Sequence, residues 1–431
     1  MQMPEWLMDL RIDKSPFLIG VTVIAAFGIA CVLVRRPSKR WLLTVAVSVL
    51  LGGAIGWGIA WLLSDVMDVF GLPLTTVTRL WVASTFAGIF LAVASVWRAS
   101  WWRIVVAGVC IPVIVITAAA WINVDFGAYR NLNDALGVDP YPALNLASQS
   151  GNDAPADPQL ARDWHPPTDM PARGRIGTVR IPATVSGFNA RPAEVYLPPA
   201  ALVSDPPILP VIEMFSGQPG SPIDIFESAR FATYLNAYAS AHNGLAPIVV
   251  VPDQLSAPEH NPMCVDSPLG RSATYLTVDV PNWIQTHLRV GSDRSSWAIG
   301  GYSQGGTCSI QFGAGHPERY GTILDIAGEV APTIGAQTIQ KGFAGSASAY
   351  HAALPLTLLA KNAPFTHTFG IFGVGQDDTR YGPELKTVAT AAARAGMKTQ
   401  LIESPGSGHD WNTVRYVLQR AVSPLAADLG L

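Results

Sequence analysis

Four apolar stretches stand in a row before residue 123, at residues 15–34, 41–63, 80–97 and 104–122. Each is close to the roughly 20 residues a helix needs to cross a hydrocarbon core about 30 Å thick. None carries a charged side chain, which at the bilayer centre costs about 3 kcal/mol. A signal peptide has one apolar region of about 7–15 residues, not four long ones. The sequence therefore predicts a four-helix transmembrane region over residues 1–122.

The short loops predict its orientation. Arg35, Arg36, Lys39 and Arg40 follow the first stretch, and Arg98 and Arg103 the third. The second loop holds Asp65 and Asp68 with Arg79 as its cation. Positive charge marks the cytoplasmic side, so loops one and three are expected inside. Everything after residue 122 is then expected outside the cytoplasm, on a multi-pass plasma-membrane protein.

Residues 123–175 are rich in Asn, Asp, Pro, Ala and Gly with little periodicity, most clearly over 151–173, and read as a linker. The remainder, 176–431, has ordinary globular composition. Strand-like apolar runs occur at 193–197, 208–215, 246–251, 297–301, 322–327, 368–374 and 399–402. Helix-like stretches lie at 224–241, 276–287, 305–315 and 383–395. That alternation predicts an α/β domain, a mostly parallel sheet covered by helices, with its site at the carboxyl ends of the strands.

Gly301-Tyr302-Ser303-Gln304-Gly305 matches G-x-S-x-G, between an apolar run and a small-residue helix. A serine hydroxyl is a weak nucleophile near neutral pH and needs a base held by a third group. The chain order for this motif is Ser, then Asp or Glu, then His. His409, the last of eight histidines, follows the final strand-like run in Ser407-Gly408-His409-Asp410-Trp411 and is the candidate base. The preceding run ends in Gly375-Gln376-Asp377-Asp378, which offers two candidate acids. Asp325 also follows a strand-like run but comes one unit too early. An oxyanion hole needs two N–H groups aimed at the developing charge. Gln304 supplies one by position. Gln218, in Ser216-Gly217-Gln218-Pro219-Gly220 after an earlier strand, is preferred to Ser216 for the other.

Net charge is −3 with no basic run, which argues against a nucleic-acid partner. No metal-ligand spacing, P-loop or dinucleotide fingerprint occurs, so neither metal nor cofactor is expected. Cys264 and Cys308 fall in the part expected outside the cytoplasm, where one disulfide between them is consistent with an oxidising space. Residues 328–364, rich in Ala, Gly and Ser, form a candidate lid.

These residues resemble the esterase D branch of the α/β-hydrolases, which includes mycolyltransferases and related actinobacterial envelope esterases. The resemblance spans about 176–431. It rests on Gly301–Gly306, on Gly408-His409-Asp410-Trp411, on Gly217-Gln218, and on the segment Thr274-Tyr275-Leu276-Thr277-Val278-Asp279-Val280-Pro281-Asn282-Trp283-Ile284. It implies an α/β-hydrolase fold, and its G-x-x-D pattern implies Asp378 rather than Asp377 as the acid. Mycolyltransferases carry Glu there, so the resemblance favours hydrolysis of acyl esters, with lipid or aminoacyl-lipid esters as substrates. Acyl transfer to a sugar or lipid alcohol is the alternative, and an inactive membrane scaffold a third reading.

Overall fold

The computed structural model describes residues 4–36, 38–97, 99–147, 154–155 and 157–431. Arg98, and residues 148–153 and 156 of the expected linker, lie outside the described residues. The chain divides into two compact units, residues 1–139 and 140–431.

The first unit holds four long helices, α1 (Ser15–Leu33), α2 (Lys39–Trp61), α3 (Thr76–Ser95) and α4 (Trp101–Phe126). All four are long and apolar enough to cross a membrane. At about 1.5 Å per residue, even α1, with 19 residues, spans nearly 30 Å. Helices α2 and α3 start before the apolar stretches do because polar residues cap them. Ser38 accepts the N–H of Trp41, and Thr75 that of Thr78. Arg79 therefore stands inside α3, where it pairs with Asp65 at 2.7 Å. Helix α4 runs past residue 122 to a left-handed cap at Gly127. Its Asp125 accepts hydroxyl hydrogens from Thr75 and Thr78, the latter at 2.7 Å.

Two glycines set the closeness of α2 and α3. A Cβ on Gly52 would meet the Phe86 carbonyl at 2.7 Å, and one on Gly56 the Ala83 Cα at 2.8 Å. The G-x-x-x-G spacing puts both on one face, where the two backbones touch. Much of the outward surface is large and apolar, as at Phe27, Leu50 and Val109. Bare apolar area of this kind is costly in water and costs nothing in hydrocarbon.

The second unit is built on eight strands: β1 (Arg175–Val179), β2 (Ala193–Leu197), β3 (Val211–Phe215), β4 (Ile248–Val251), β5 (Trp297–Tyr302), β6 (Thr322–Ile326), β7 (Phe369–Gly375) and β8 (Lys398–Ser404). Their order is β1-β2-β4-β3-β5-β6-β7-β8. Strand β2 runs antiparallel to both β1 and β4, and the other pairs are parallel. Every residue of β3, β4, β5 and β6 is buried, as expected of strands covered on both faces. The covering helices are α5 (Phe231–Ala241), α6 (Val280–His287), α7 (Gln304–Gly315), α8 (Ala347–Ala352), α9 (Pro355–Asn362), α10 (Tyr381–Arg394) and α11 (Trp411–Asp428). This is the α/β-hydrolase fold.

Four features go beyond the sequence expectation. Residues 140–175, read as linker, belong to this unit: Leu144 N–H donates to the Thr178 carbonyl at 2.9 Å, and Tyr141, Leu146 and Trp164 pack against the core. Strand β1, absent from the sequence expectation, begins at the last residue of that stretch, with Gly177 at its centre. Helix α11 presents Val414, Val417, Leu418, Ala421, Val422 and Leu425 inward at helical spacing, despite Pro424. Residues 328–364 include the short helices α8 and α9, the latter anchored by the buried Leu359.

Candidate active site

Strand β5 delivers Ser303 into a turn with φ 57° and ψ −121°, a left-handed conformation a serine adopts only when its surroundings impose it. The surroundings are glycines. A Cβ on Gly301 would lie 2.1 Å from the Gly305 carbonyl oxygen, and one on Gly305 2.3 Å from the Ser216 carbonyl oxygen. A Cβ on Gly306 would lie 2.6 Å from Asp325. Strand, turn and helix approach this closely only without side chains, and the approach lifts the Ser303 hydroxyl off the sheet.

The His409 imidazole meets that hydroxyl, with Nε2 at 2.8 Å from Ser303 Oγ. Its other nitrogen, Nδ1, lies 2.9 Å from Asp378 Oδ2. Both side chains are buried. Asp378 Oδ1 accepts the N–H groups of Tyr381 at 2.8 Å and Arg380 at 3.2 Å. Burial pushes the Asp378 carboxyl up, but the hydrogen bond and charge of His409 and those two N–H groups outweigh it and hold it below the ordinary range. Asp377 points elsewhere. It is exposed, and its own N–H donates to the Ser407 carbonyl. Of the two candidate acids, the structure brings Asp378 to the histidine.

Sequence reasoning missed the rings around the base. Tyr302 stacks on His409 with centroids 5.0 Å apart, and Tyr381 lies 4.4 Å away on a tilted plane. Trp411 packs on Tyr302 in turn. The signal was adjacency alone: each ring neighbours a named site residue or follows it within three positions.

Both candidate oxyanion donors flank the serine. Gln304 is the first residue of α7, so its N–H has no acceptor within the helix. Gly217 lies so close that a Cβ on it would sit 3.5 Å from Ser303 Cβ, so the residue just before Gln218 stands against the nucleophile. Among the described residues the Gln218 N–H has no backbone acceptor. Ser216 is fully buried.

Cys264 and Cys308 form a disulfide, with Cα atoms 5.6 Å apart, which fastens the loop after β4 to α7 one turn beyond the nucleophile. Asp325, near the end of β6, is fully buried, its Oδ1 accepting the Gly328 N–H, its carboxyl pushed up by burial to about 7. It does not reach His409. Among the described residues no group of His, Cys, Asp and Glu side chains has metal-binding geometry.

The arrangement has the parts of an acyl-transfer centre: a half-buried hydroxyl, a base on it, an acid on the base, and beside it two N–H groups with no backbone acceptor among the described residues. Residues 189–416 match the family model described as "Putative esterase". The chain is also 30% identical over 440 residues to an uncharacterized protein of Corynebacterium glutamicum, an alignment that spans all of both proteins. Among solved structures it is similar to a ferulic acid esterase (TM-score 0.52, 16% identity), covering 61% of this chain and all of that one. An S-formylglutathione hydrolase from Agrobacterium tumefaciens matches at TM-score 0.48 and 20% identity, over 61% of this chain and 98% of that one.

Proposed function

The chain belongs to the esterase family and is a serine ester hydrolase, and from that premise we propose that it cleaves acyl esters of lipids, aminoacyl lipids among them, at the outer face of a membrane. The observation that carries the chemistry is the unbroken line from Asp378 through His409 to Ser303. Ser303 attacks the ester carbonyl while His409 Nε2 takes its proton. Asp378 keeps the other nitrogen protonated and stabilises the imidazolium that forms. The carbonyl oxygen, now negative, is held by the N–H groups of Gln218 and Gln304. Collapse expels the alcohol, which takes the proton from His409. Water, activated by the same histidine, then releases the acid and restores the serine.

The lipid part of the reading is supported by the first unit. Its four helices are long and apolar enough to span a bilayer, and their outward faces are apolar. Arg35, Arg36, Lys39, Arg40 and Arg103 cluster at the helix ends that the positive-inside rule assigns to the cytoplasm, which supports a catalytic unit on the other side. A disulfide in that unit suits an oxidising compartment.

The test is release of p-nitrophenol from short and long acyl esters by the full-length protein, beside Ser303→Ala and His409→Ala. Turnover should vanish in both variants and favour long chains. Turnover that survives Ser303→Ala overturns the mechanism, and a preference for the shortest esters overturns the lipid substrate.

A further inference from the structure

The two candidate oxyanion donors come from different loops, and something must hold those loops in register. Gln304 opens α7, while Gln218 follows β3. Between them, on the loop after β4, stands Gln254, fully buried. Its Nε2 donates to the Ser216 carbonyl at 2.7 Å and to Gln304 Oε1 at 3.2 Å. Both amide hydrogens are thus used, one on each loop. The Gln304 side chain continues the line, its Nε2 donating to Asn261 Oδ1 at 3.2 Å. Asn261 stands three residues before Cys264, whose disulfide to Cys308 returns to α7.

The position of Gln254 is fixed from its own backbone outward. Its neighbour Asp253 is fully buried, accepts the N–H groups of Leu255 and Ser256 at 3.0 Å, and pairs with Arg191 at 2.8 Å. A loop pinned on both sides of Gln254 leaves its amide little freedom. The amide oxygen gains no partner by its placement: Gln254 Oε1 is buried without a hydrogen bond among the described residues. Leaving a buried acceptor unpaired costs about 1–3 kcal/mol. A residue chosen for stability alone would be apolar here.

We propose that Gln254 is a positioning residue for the transition state: it clasps the loop of Gln218 to the start of α7 and so sets the spacing of the two N–H groups. It touches neither substrate nor the reacting atoms. The inference rests on the reading of Gln218 and Gln304 as the oxyanion donors. Donors aimed at the oxyanion act on the transition state and little on the bound ester. Loosening the clasp therefore lowers kcat and leaves KM near its original value.

The test uses full-length protein and a p-nitrophenyl ester, with Gln254→Met, Gln304→Met and the double variant. Gln304→Met cuts the other end of the clasp and retains the backbone N–H, so it serves where Gln254→Met does not fold. Each single variant is expected to lose roughly 10–100-fold in kcat, part of the 10²–10³ that one donor is worth, with KM within about threefold. The double variant should lose little more than either single one, because both cut the same connection. Gln254→Glu adds a readout that a merely structural role would not move. Its carboxyl donates one hydrogen bond only when protonated, so its kcat relative to wild type should rise as pH falls. A kcat within threefold of wild type in both Met variants overturns the clasp and leaves the esterase reading standing. Fully additive losses, or a parallel rise in KM, overturn it as well. A wild type that hydrolyses no ester overturns the functional reading and the clasp together.

Discussion

His409 Nδ1 lies 2.9 Å from Asp378 Oδ2, and the same carboxylate takes two backbone N–H groups on its other oxygen. The acid is thus held from three directions, and the histidine can present only Nε2 to Ser303. Asp378→Asn should keep the fold and cost roughly 10³–10⁴-fold in kcat, because the amide no longer enforces the tautomer. Asp377→Asn, at an exposed position, should remain within about threefold. Steady-state kinetics on the two variants decides. Equal losses would mean that the histidine is oriented by something else.

Helix packing in the first unit gives a second expectation. A side chain at Gly52 or Gly56 must push α3 away by its backbone, which cannot yield as a flexible side chain would. Gly53 sits between them with open space around its Cβ position. Gly52→Leu and Gly56→Leu should lower thermal stability in detergent, while Gly53→Leu should not. Indifference to all three would contradict the close approach.

Glu213 predicts a pH dependence. It is fully buried on β3, bonded to the Tyr320 hydroxyl at 2.9 Å, and burial raises its carboxyl from 4.5 to about 8. Between those values the folded state keeps a proton that the unfolded chain has released. Stability from this group is therefore complete below about 4.5 and is lost as pH rises through about 8. Glu213→Gln keeps an acceptor for Tyr320 and removes the titration. The melting temperature of the variant minus that of wild type should increase from pH 5 to pH 8.5. A constant difference would show that Glu213 does not titrate in this range.

The disulfide closes a separation of 44 residues. In the chain-entropy picture, cross-links of this kind stabilise by about 2–4 kcal/mol. Cys264→Ala with Cys308→Ala should lower the melting temperature of the catalytic unit by several degrees. The same loss should follow reduction of wild type. If the double variant melts with wild type, the bond contributes nothing to the folded state.

Sidedness is testable directly. A cysteine replacing the exposed Asp205 should react with a membrane-impermeant maleimide in intact cells. Labelling only after lysis would reverse the orientation and remove the outer-face site.

The parts legible in sequence were those whose physics is local. Ser303 announces itself because its turn demands small residues at fixed offsets, and the four long helices because a bilayer demands length without charge. Residues 140–147 and 157–175 misled because Pro and Gly mark both a linker and a segment packed on a core. Helix α11 carried its inward apolar spacing openly, but Pro424 inside it reads as a stop. Gln254 and the rings of Tyr302 and Tyr381 had no local signature. Their positions follow from which strand ends are neighbours, and the order β4-β3-β5 is not written in any short stretch of chain.

That order has a consequence for synthesis. The oxyanion loop follows β3, the nucleophile β5, the acid β7 and the base β8, the strand at the sheet's edge. A nascent chain that has emerged only through β7 carries a serine with no proton acceptor, however well its sheet has formed. Reactivity switches on with the final strand, in one step. An esterase whose base comes last in the chain in this way stays inert until its last layer has docked.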